Sequence, residues 1–546
     1  MTWANEIQVK TLNHLGIIAG IIDEIGIVEI INDLVGMGPK EIINAGVVVK
    51  AIILNGLGFV SRPLYLFPQF FEDKATQHLL GEGIKPQHLN DDKIGRVMDK
   101  LYQLGLSRTF LSVSLAAVKK YEISTEFAHL DSSSFSLHGQ YNYQDTDLET
   151  IIYQSKTPTQ EVIEVPIKIT QGYSRDHRPD LKQFILDLIV SGDGDVPFSM
   201  RVADGNEADK AVFGQIAAEF KKQMNFEGVI VSDSALYSQN NLNLMKQMFW
   251  LCRVPLSLTT AKKLVSEVKA EELIESELSG YSYLEVESNY GKIPQRWLIV
   301  ESLKRRSSDL EKLDNKLKKE EISAHKKSQQ LLGKKFESQS GALEVVELFN
   351  QKLKYHQLTN IKVIESSPRP QKKTQTVTYK LEGNLIQKSE LIQELKNRAG
   401  RFILATNILD KQRLTSEEIL QKYKEQQAPE RGFAFLKDPL FFADSVFLKS
   451  PERISTMAML MGLCLLVYTI GQRQLRLQLK QYNTGIKNQL GKLTPRPTLR
   501  WIFQCFQGIH VVILAGVERI VNLSEERLLT LSFFPHACQK YYRESG

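Results

Sequence analysis

The 546 residues include only four cysteines, Cys252, Cys464, Cys505 and Cys538, and no two of them form a CxxC pair. That scarcity argues against a zinc site or a disulfide framework and suits a reducing interior. The opening MTWANEIQVK has no basic start followed by an apolar run, so no targeting segment is expected and the reading is cytoplasmic. Long apolar runs are also missing. The most apolar window, Thr456 to Ile470, covers about 15 residues, short of the roughly 20 that a membrane span needs, and suits a buried helix. Acidic residues are absent between Glu452 and Glu518, a stretch that holds Arg473, Arg476, Lys480, Lys487, Lys492, Arg496 and Arg500. Such single-sign bias suggests a surface facing phosphates, each contact adding salt dependence to binding. An ordinary basic surface is the plainer alternative.

What is present describes a globular protein, with 42% hydrophobic and 24% charged residues. The length exceeds one ordinary core and suggests two to four domains. A formal charge of +6 hints mildly at a polyanionic partner.

Residues 1–122 read as a small helical domain. Apolar residues recur at helical spacing in Leu15 to Ile31, Ile42 to Leu57 and Lys93 to Leu104, with Gly and Pro breaks between. Asn90, followed by Asp91 and Asp92, reads as a helix start. Basic and acidic residues interleave here, so charge does not say whether the domain binds DNA or simply packs.

The pattern changes at Tyr121. EFAHLDSSSFSLH is a short β run that delivers Asp131 into a group of serines; EVIEVPIKI, FILDLIV and PFSMRVA read as three further strands. An amphipathic helix is expected near Glu207 to Gln223, then the strand GVIVSDSAL, ending on Asp233, and one more in FWLCRV. Each carboxylate alone also reads as a cap: Asp131 of a helix or turn, Asp233 of a helix starting near Ser234. Side by side at buried strand ends they would repel unless a cation were present.

One further stretch, Leu414 to Pro439, places Tyr423, Gln426, Glu430 and Lys437 at i, i+3, i+7 and i+14, one stripe of a helix. Pro429 argues for a helix that begins near it rather than running through it, which would put Tyr423 and Gln426 on a preceding helix.

These residues resemble the insertion-sequence transposases of the DDE class, whose signature runs Tyr, two residues, Arg, three residues, Glu, six residues, Lys. Only the Arg departs, as Gln426. Asp131, Asp233 and Glu430 match the three acids in order, and GYSRDHRPDLKQ (Gly172 to Gln183) and VADGNEAD (Val202 to Asp209) look like segments that accompany the first two. The gap of about 200 residues between Asp233 and Glu430 is similar to the subgroup whose ribonuclease H-like fold is interrupted by an insertion. Within the gap, YSYLEVESNYGKIPQRWLIVES and TVTYKLEG read as strands, Ser302 to Phe336 as a charged, solvated helix, and RFILATN as the return to the core.

The resemblance implies an α/β fold: a ribonuclease H-like mixed sheet with helices, interrupted by a mostly β insertion, plus an N-terminal helical domain and a C-terminal helical region. The expected boundaries are 1–122, a helical module expected to bind transposon ends; 123–256, the first part of the core; 257–400, the insertion; 401–454, the second part with the Glu helix; and 455–546, helical and basic. It implies a nucleoid-associated transposase that cleaves transposon ends and transfers strands into target DNA, as a homodimer on DNA and without membrane contact. Asp131, Asp233 and Glu430 would be catalytic and hold two Mg²⁺ ions, for which Mn²⁺ could substitute. Tyr423 and Lys437 would hold DNA phosphates, as would Arg473, Arg476 and Lys480 in the basic span, and Trp297 would stack on a flipped base. A structure-specific nuclease without strand transfer, or an inactive DNA-binding descendant, are the alternatives. The tail from Ala515 is expected to begin as helix.

Overall fold

The computed structural model describes residues 7–36, 38, 41–59, 66–139, 141, 166–366, 377–438, 448–514 and 516–543. After strand β1 (Ile7–Thr11) come seven helices: α1 (Leu15–Ile25), α2 (Ile27–Val35), α3 (Ala45–Gly56), α4 (Phe67–Glu72), α5 (Thr76–Leu80), α6 (Asp91–Leu104) and α7 (Leu106–Lys120). Asn90 starts α6 as expected, its side chain accepting from the Lys93 amide at 2.9 Å.

The sheet region follows: β2 (Phe127–Leu137), β3 (Lys182–Ser191), β4 (Pro197–Ala203), α8 (Asp209–Met224), β5 (Val229–Ser232), α9 (Gln239–Leu244) and β6 (Phe249–Val254). The expected strand EVIEVPIKI is not one over its described part: Pro166–Ile169 is irregular, and only Thr170 bridges to Gln183. Residues 161–165 lie outside the described residues.

Next are α10 (Thr259–Glu267), β7 (Ile274–Glu275), β8 (Tyr281–Tyr290), β9 (Ile293–Ser302), α11 (Leu303–Leu332), α12 (Gln339–Lys352), β10 (His356–Ser366), β11 (Thr378–Gln387), α13 (Ser389–Arg398) and β12 (Arg401–Thr406). The chain closes with α14 (Ser416–Lys424), α15 (Gln427–Leu436), α16 (Pro451–Gln481), β13 (Ile486–Lys487), β14 (Leu493–Thr494), α17 (Leu499–Cys505), β15 (His510–Leu514), β16 (Val517–Val521), α18 (Glu525–Ser532) and α19 (His536–Gln539).

Two compact units result: Met1–Leu251 with Lys422–Gly546, and Cys252–Gln421. In the first, the strand order is β4-β3-β2-β5-β6. β2 and β3 are antiparallel, as are β3 and β4, whereas β2 and β5 are parallel. The fold is therefore mixed α/β. In the second unit, β12, β9, β8 and β7 follow one another antiparallel, and β10 and β11 form a separate ribbon.

α16 is the centre of the first unit. It is long and apolar enough to cross a membrane, but 89% of its most apolar stretch is buried inside the fold. It packs on α3, α6 and α7 and on β4. At Gly462 a Cβ would stand 2.4 Å from Met200 Sδ, so the Met200 side chain of β4 packs directly on the bare helix surface that this glycine leaves. The C-terminal region is not all helix. The tail begins with β16, which pairs with β15, and β15 pairs in turn with β1. The four cysteines, all among the described residues, form no disulfide.

Candidate active site

β2 and β5 stay paired from Phe127 opposite Val229 to Leu130 opposite Ser232. Asp131 and Asp233 are the next residues on the two strands, and adjacent strands lie about 4.8 Å apart. Asp233 thus follows the end of β5, whereas Asp131 lies within β2, which runs on to Leu137 against β3; the expected strand end at Asp131 is the end of its pairing with β5 only. Burial pushes the Asp131 carboxyl up to about 7, against the Arg175 guanidinium and the Ser132 amide, and the Asp233 carboxylate adds to the rise. Asp233 caps no helix at Ser234. It forms a local turn, Oδ1 accepting from the Ala235 amide at 2.7 Å, and the next helix starts at Gln239.

Alternation along β2 puts Ser133 and Phe135 on the face of Asp131, and α15 packs on that face. Phe433 meets Phe135 edge to face at 6.5 Å, and Lys437 Nζ donates to Ser133 Oγ at 2.9 Å and lies 5.0 Å over the Phe135 ring. At the other end of α15, the Gln426 amide donates to the Leu130 carbonyl at 2.8 Å and pairs with His129 Nδ1 at 3.1 Å. The residue that replaces the signature Arg therefore ties the helix to β2 one position before Asp131. Tyr423 is on the separate helix α14, as Pro429 foretold, and is half-buried. Gln426, Glu430, Phe433 and Lys437 share one stripe, so Glu430 lies between the two anchor points. Its side chain is exposed. Among the described residues no group of three His, Cys, Asp or Glu side chains is assembled for a metal ion.

The segments flanking the site are joined to it and to each other. Arg175 bonds Ser132 O and Asp209 Oδ2, lies 3.4 Å from Asp131 Oδ1, and donates its amide to Ser134 Oγ at 3.0 Å. Asp176 accepts from Lys437 Nζ at 2.8 Å. Gly172 and Gly205 touch, since a Cβ on Gly172 would sit 2.1 Å from the Gly205 carbonyl oxygen. On the opposite face of β2, Ser132 Oγ donates to buried Asp187 at 2.5 Å, and Arg201 links Asp187 to Glu207. Burial pushes Asp187 up to about 6, against Arg201 and Ser132. Sequence reasoning missed the parts played by Arg175, Asp187 and His129. Asp187 left one signal, a carboxylate inside the apolar run FILDLIV.

Two residues expected to contact DNA are buried. Trp297 is 2% exposed and donates from Nε1 to Gln295 Oε1 at 3.0 Å, within β9 opposite Ala405 and Val286. It is a core residue of the second unit. Beside it, Arg296 is buried against Glu285 at 2.6 Å. Arg473 is also buried, its guanidinium on Asp193 at 2.5 Å and on the Tyr121 carbonyl at 3.2 Å. Arg476 is half-buried and donates to the Pro497 carbonyl at 3.0 Å, whereas Lys480 is exposed.

The fold is that of an α/β protein with two carboxylates side by side where the pairing of two parallel strands ends. The family described as transposase DDE domain matches residues 126–468, more than half of the chain, and the chain belongs to that family. It is a DNA transposase, an enzyme that cleaves and rejoins DNA strands, and DNA is its partner. Enzymes of this family generally depend on divalent metal. A domain of unknown function, DUF4277, matches residues 7–115. Among solved structures, a piggyBac transposase synaptic complex with hairpin DNA, determined by cryo-EM, is similar at 9% identity and a TM-score of 0.38, over 98% of this chain and 84% of that one. No curated protein matches.

Proposed function

We propose that Asp131, Asp233 and Glu430 form the metal-binding active site, on a ribonuclease H-like core interrupted by Cys252–Gln421. The observation that carries this is the pair of carboxylates on the next positions after the last rung between β2 and β5. Their hard oxygen donors fit Mg²⁺, with Mn²⁺ as a substitute, and their mutual repulsion is what a cation would relieve. When bound, two such ions supply an activated nucleophile and stabilise charge on the leaving oxygen. The chain's own residues do the rest. Gln426 and Lys437 hold α15 across the face of β2, which presents Glu430 toward Asp131; Arg175 and Asp176 brace the open side of β2 beyond the end of β5. The strand order, with β3 running opposite to β4, β2 and β5, supports the ribonuclease H-like reading. The DNA acted on would be the transposon's inverted-repeat ends and a target duplex, with two copies of the chain bringing two ends together. Lys480 and Tyr423 stand as candidate phosphate contacts.

The test is cleavage and strand transfer in Mg²⁺ on DNA carrying the terminal repeats. Asp131→Asn, Asp233→Asn and Glu430→Gln should each lower cleavage by more than about 100-fold, comparable to losing one preorganised electrostatic group, while leaving DNA binding intact. Wild-type cleavage by any one variant removes that residue from the site.

A further inference from the structure

The segment Gly485–Arg496, GIKNQLGKLTPR, takes no part in the site above. It follows α16 as a hairpin, with Ile486 opposite Thr494 and Lys487 opposite Leu493. Its tip is held in one shape. Asn488 Oδ1 accepts from the amides of Leu490 at 2.9 Å and Lys492 at 3.0 Å, Asn488 N donates to Lys492 O at 2.8 Å, and Gly491 turns the chain at φ +73°. The base is held as well. A Cβ on Gly485 would lie 2.8 Å from the Thr494 backbone, and Trp501 Nε1 donates to Lys487 O at 2.8 Å.

This braced frame presents apolar side chains to water: Leu490 is 80% exposed and Leu493 68%. Three cations belong to the same hairpin. Lys487, Lys492 and Arg496 are exposed, and Glu526 lies 3.5 Å from Lys487. A leucine on a stiff tip that also carries basic side chains suits a duplex whose phosphates take the charges while the apolar wedge enters between base pairs.

We propose that this hairpin is a DNA wedge: Lys487, Lys492 and Arg496 engage phosphates, and Leu490 inserts at a deformable base step and kinks the duplex. The proposal rests on the transposase reading only in taking DNA as the partner. Pyrimidine–purine steps such as TA unstack most easily and are the expected points of entry.

The test uses the full chain without divalent metal and a duplex of about 40 base pairs carrying 2-aminopurine at TA steps, whose fluorescence rises on unstacking. Wild-type protein should raise the fluorescence several-fold. Leu490→Ala, a change at an exposed position, should abolish the rise while duplex binding and its salt dependence persist. Combined Lys487→Ala, Lys492→Ala and Arg496→Ala should flatten the log-log salt slope by about two to three units, near 0.9 per phosphate contact. A bound wild-type protein that gives no rise, or a Leu490→Ala protein that matches wild type, overturns the wedge and leaves the transposase reading standing. So does a Leu490→Ala protein that keeps the rise but sediments as a smaller species, which would assign the tip to a second copy of the chain. Failure of wild type to bind any duplex would overturn the DNA reading itself.

Discussion

His14 shows how one buried side chain can couple stability to pH. Its Nε2 lies 2.9 Å from the Leu57 carbonyl oxygen and must donate, while Nδ1 lies 2.9 Å from the Gln507 amide nitrogen and must accept. Both contacts require the neutral ring, which stacks on Phe503 at 4.3 Å. Burial pulls the His14 pKa down to about 4, and does the same to His129. The unfolded chain, with an ordinary value of 6.5, binds more protons than the folded chain between those limits. Stability is therefore full above about 6.5 and falls as pH drops toward 4. Each histidine should cost about 2 kcal/mol on going from pH 7 to pH 5. Denaturant titrations at the two pH values should show His14→Gln losing about 2 kcal/mol less than wild type over that interval. An equal loss would mean His14 is protonated in the folded state.

At the scale of the element, α15 is short, and its position depends on what ties its two ends. Gln426 anchors one end with two bonds to β2, and Phe433 and Lys437 anchor the other. Between them, Gly432 permits the close fit, since a Cβ there would lie 3.2 Å from Leu465 Cδ2 of α16. Gln426→Ala should cost about 1–2 kcal/mol of stability, from lost hydrogen bonds in a half-buried setting. Because it releases the end nearest Glu430, cleavage should fall by more than tenfold while DNA affinity changes little. Unchanged cleavage in a stable Gln426→Ala protein would show that α15 is held without this anchor. That a new helix starts near Pro429 was legible in the sequence, because proline acts on its own turn; α15 starts at Gln427, two residues before it. That Gln426 would do the anchoring was not, because its partners His129 and Leu130 lie nearly 300 residues earlier.

Across the first unit, the two ends of the chain form one structure. β1 pairs with β15, and α1 packs so tightly on α19 that a Cβ on Gly20 would stand 2.3 Å from Cys538 Cα. Lys50, 5% exposed, bonds Asp23 at 2.6 Å and the Tyr541 hydroxyl at 2.9 Å. A chain ending at Pro535 would uncover α1 and take Tyr541 from that buried pair. Its stability should fall by more than about 3 kcal/mol, the scale of breaking a buried ionic network and opening a core. Limited proteolysis should then cut within residues 7–120 well before wild type is cut. Equal protection of the two proteins would make the C-terminal segment dispensable.

The same contrast divides what was readable along the chain from what was not. Helices α3, α6 and α8 and strands β3, β4, β8 and β9 follow from apolar periodicity, which is local. Asp131 and Asp233 stand out too, because a carboxylate directly after an apolar run is a local anomaly, and both lie within the residues 126–468 that match the transposase DDE domain. Burial and pairing are different, since they depend on what another segment supplies. Arg473 reads as a free cation among basic neighbours, but folding brings Asp193 to it from 280 residues away. Trp297 reads as an aromatic offered to a ligand, but β9 lies between β8 and β12 in the sheet and the fold leaves its side chain 2% exposed. Residues Val517–Val521 read as helix and form a strand, because β15 runs beside them and completes their backbone hydrogen bonds.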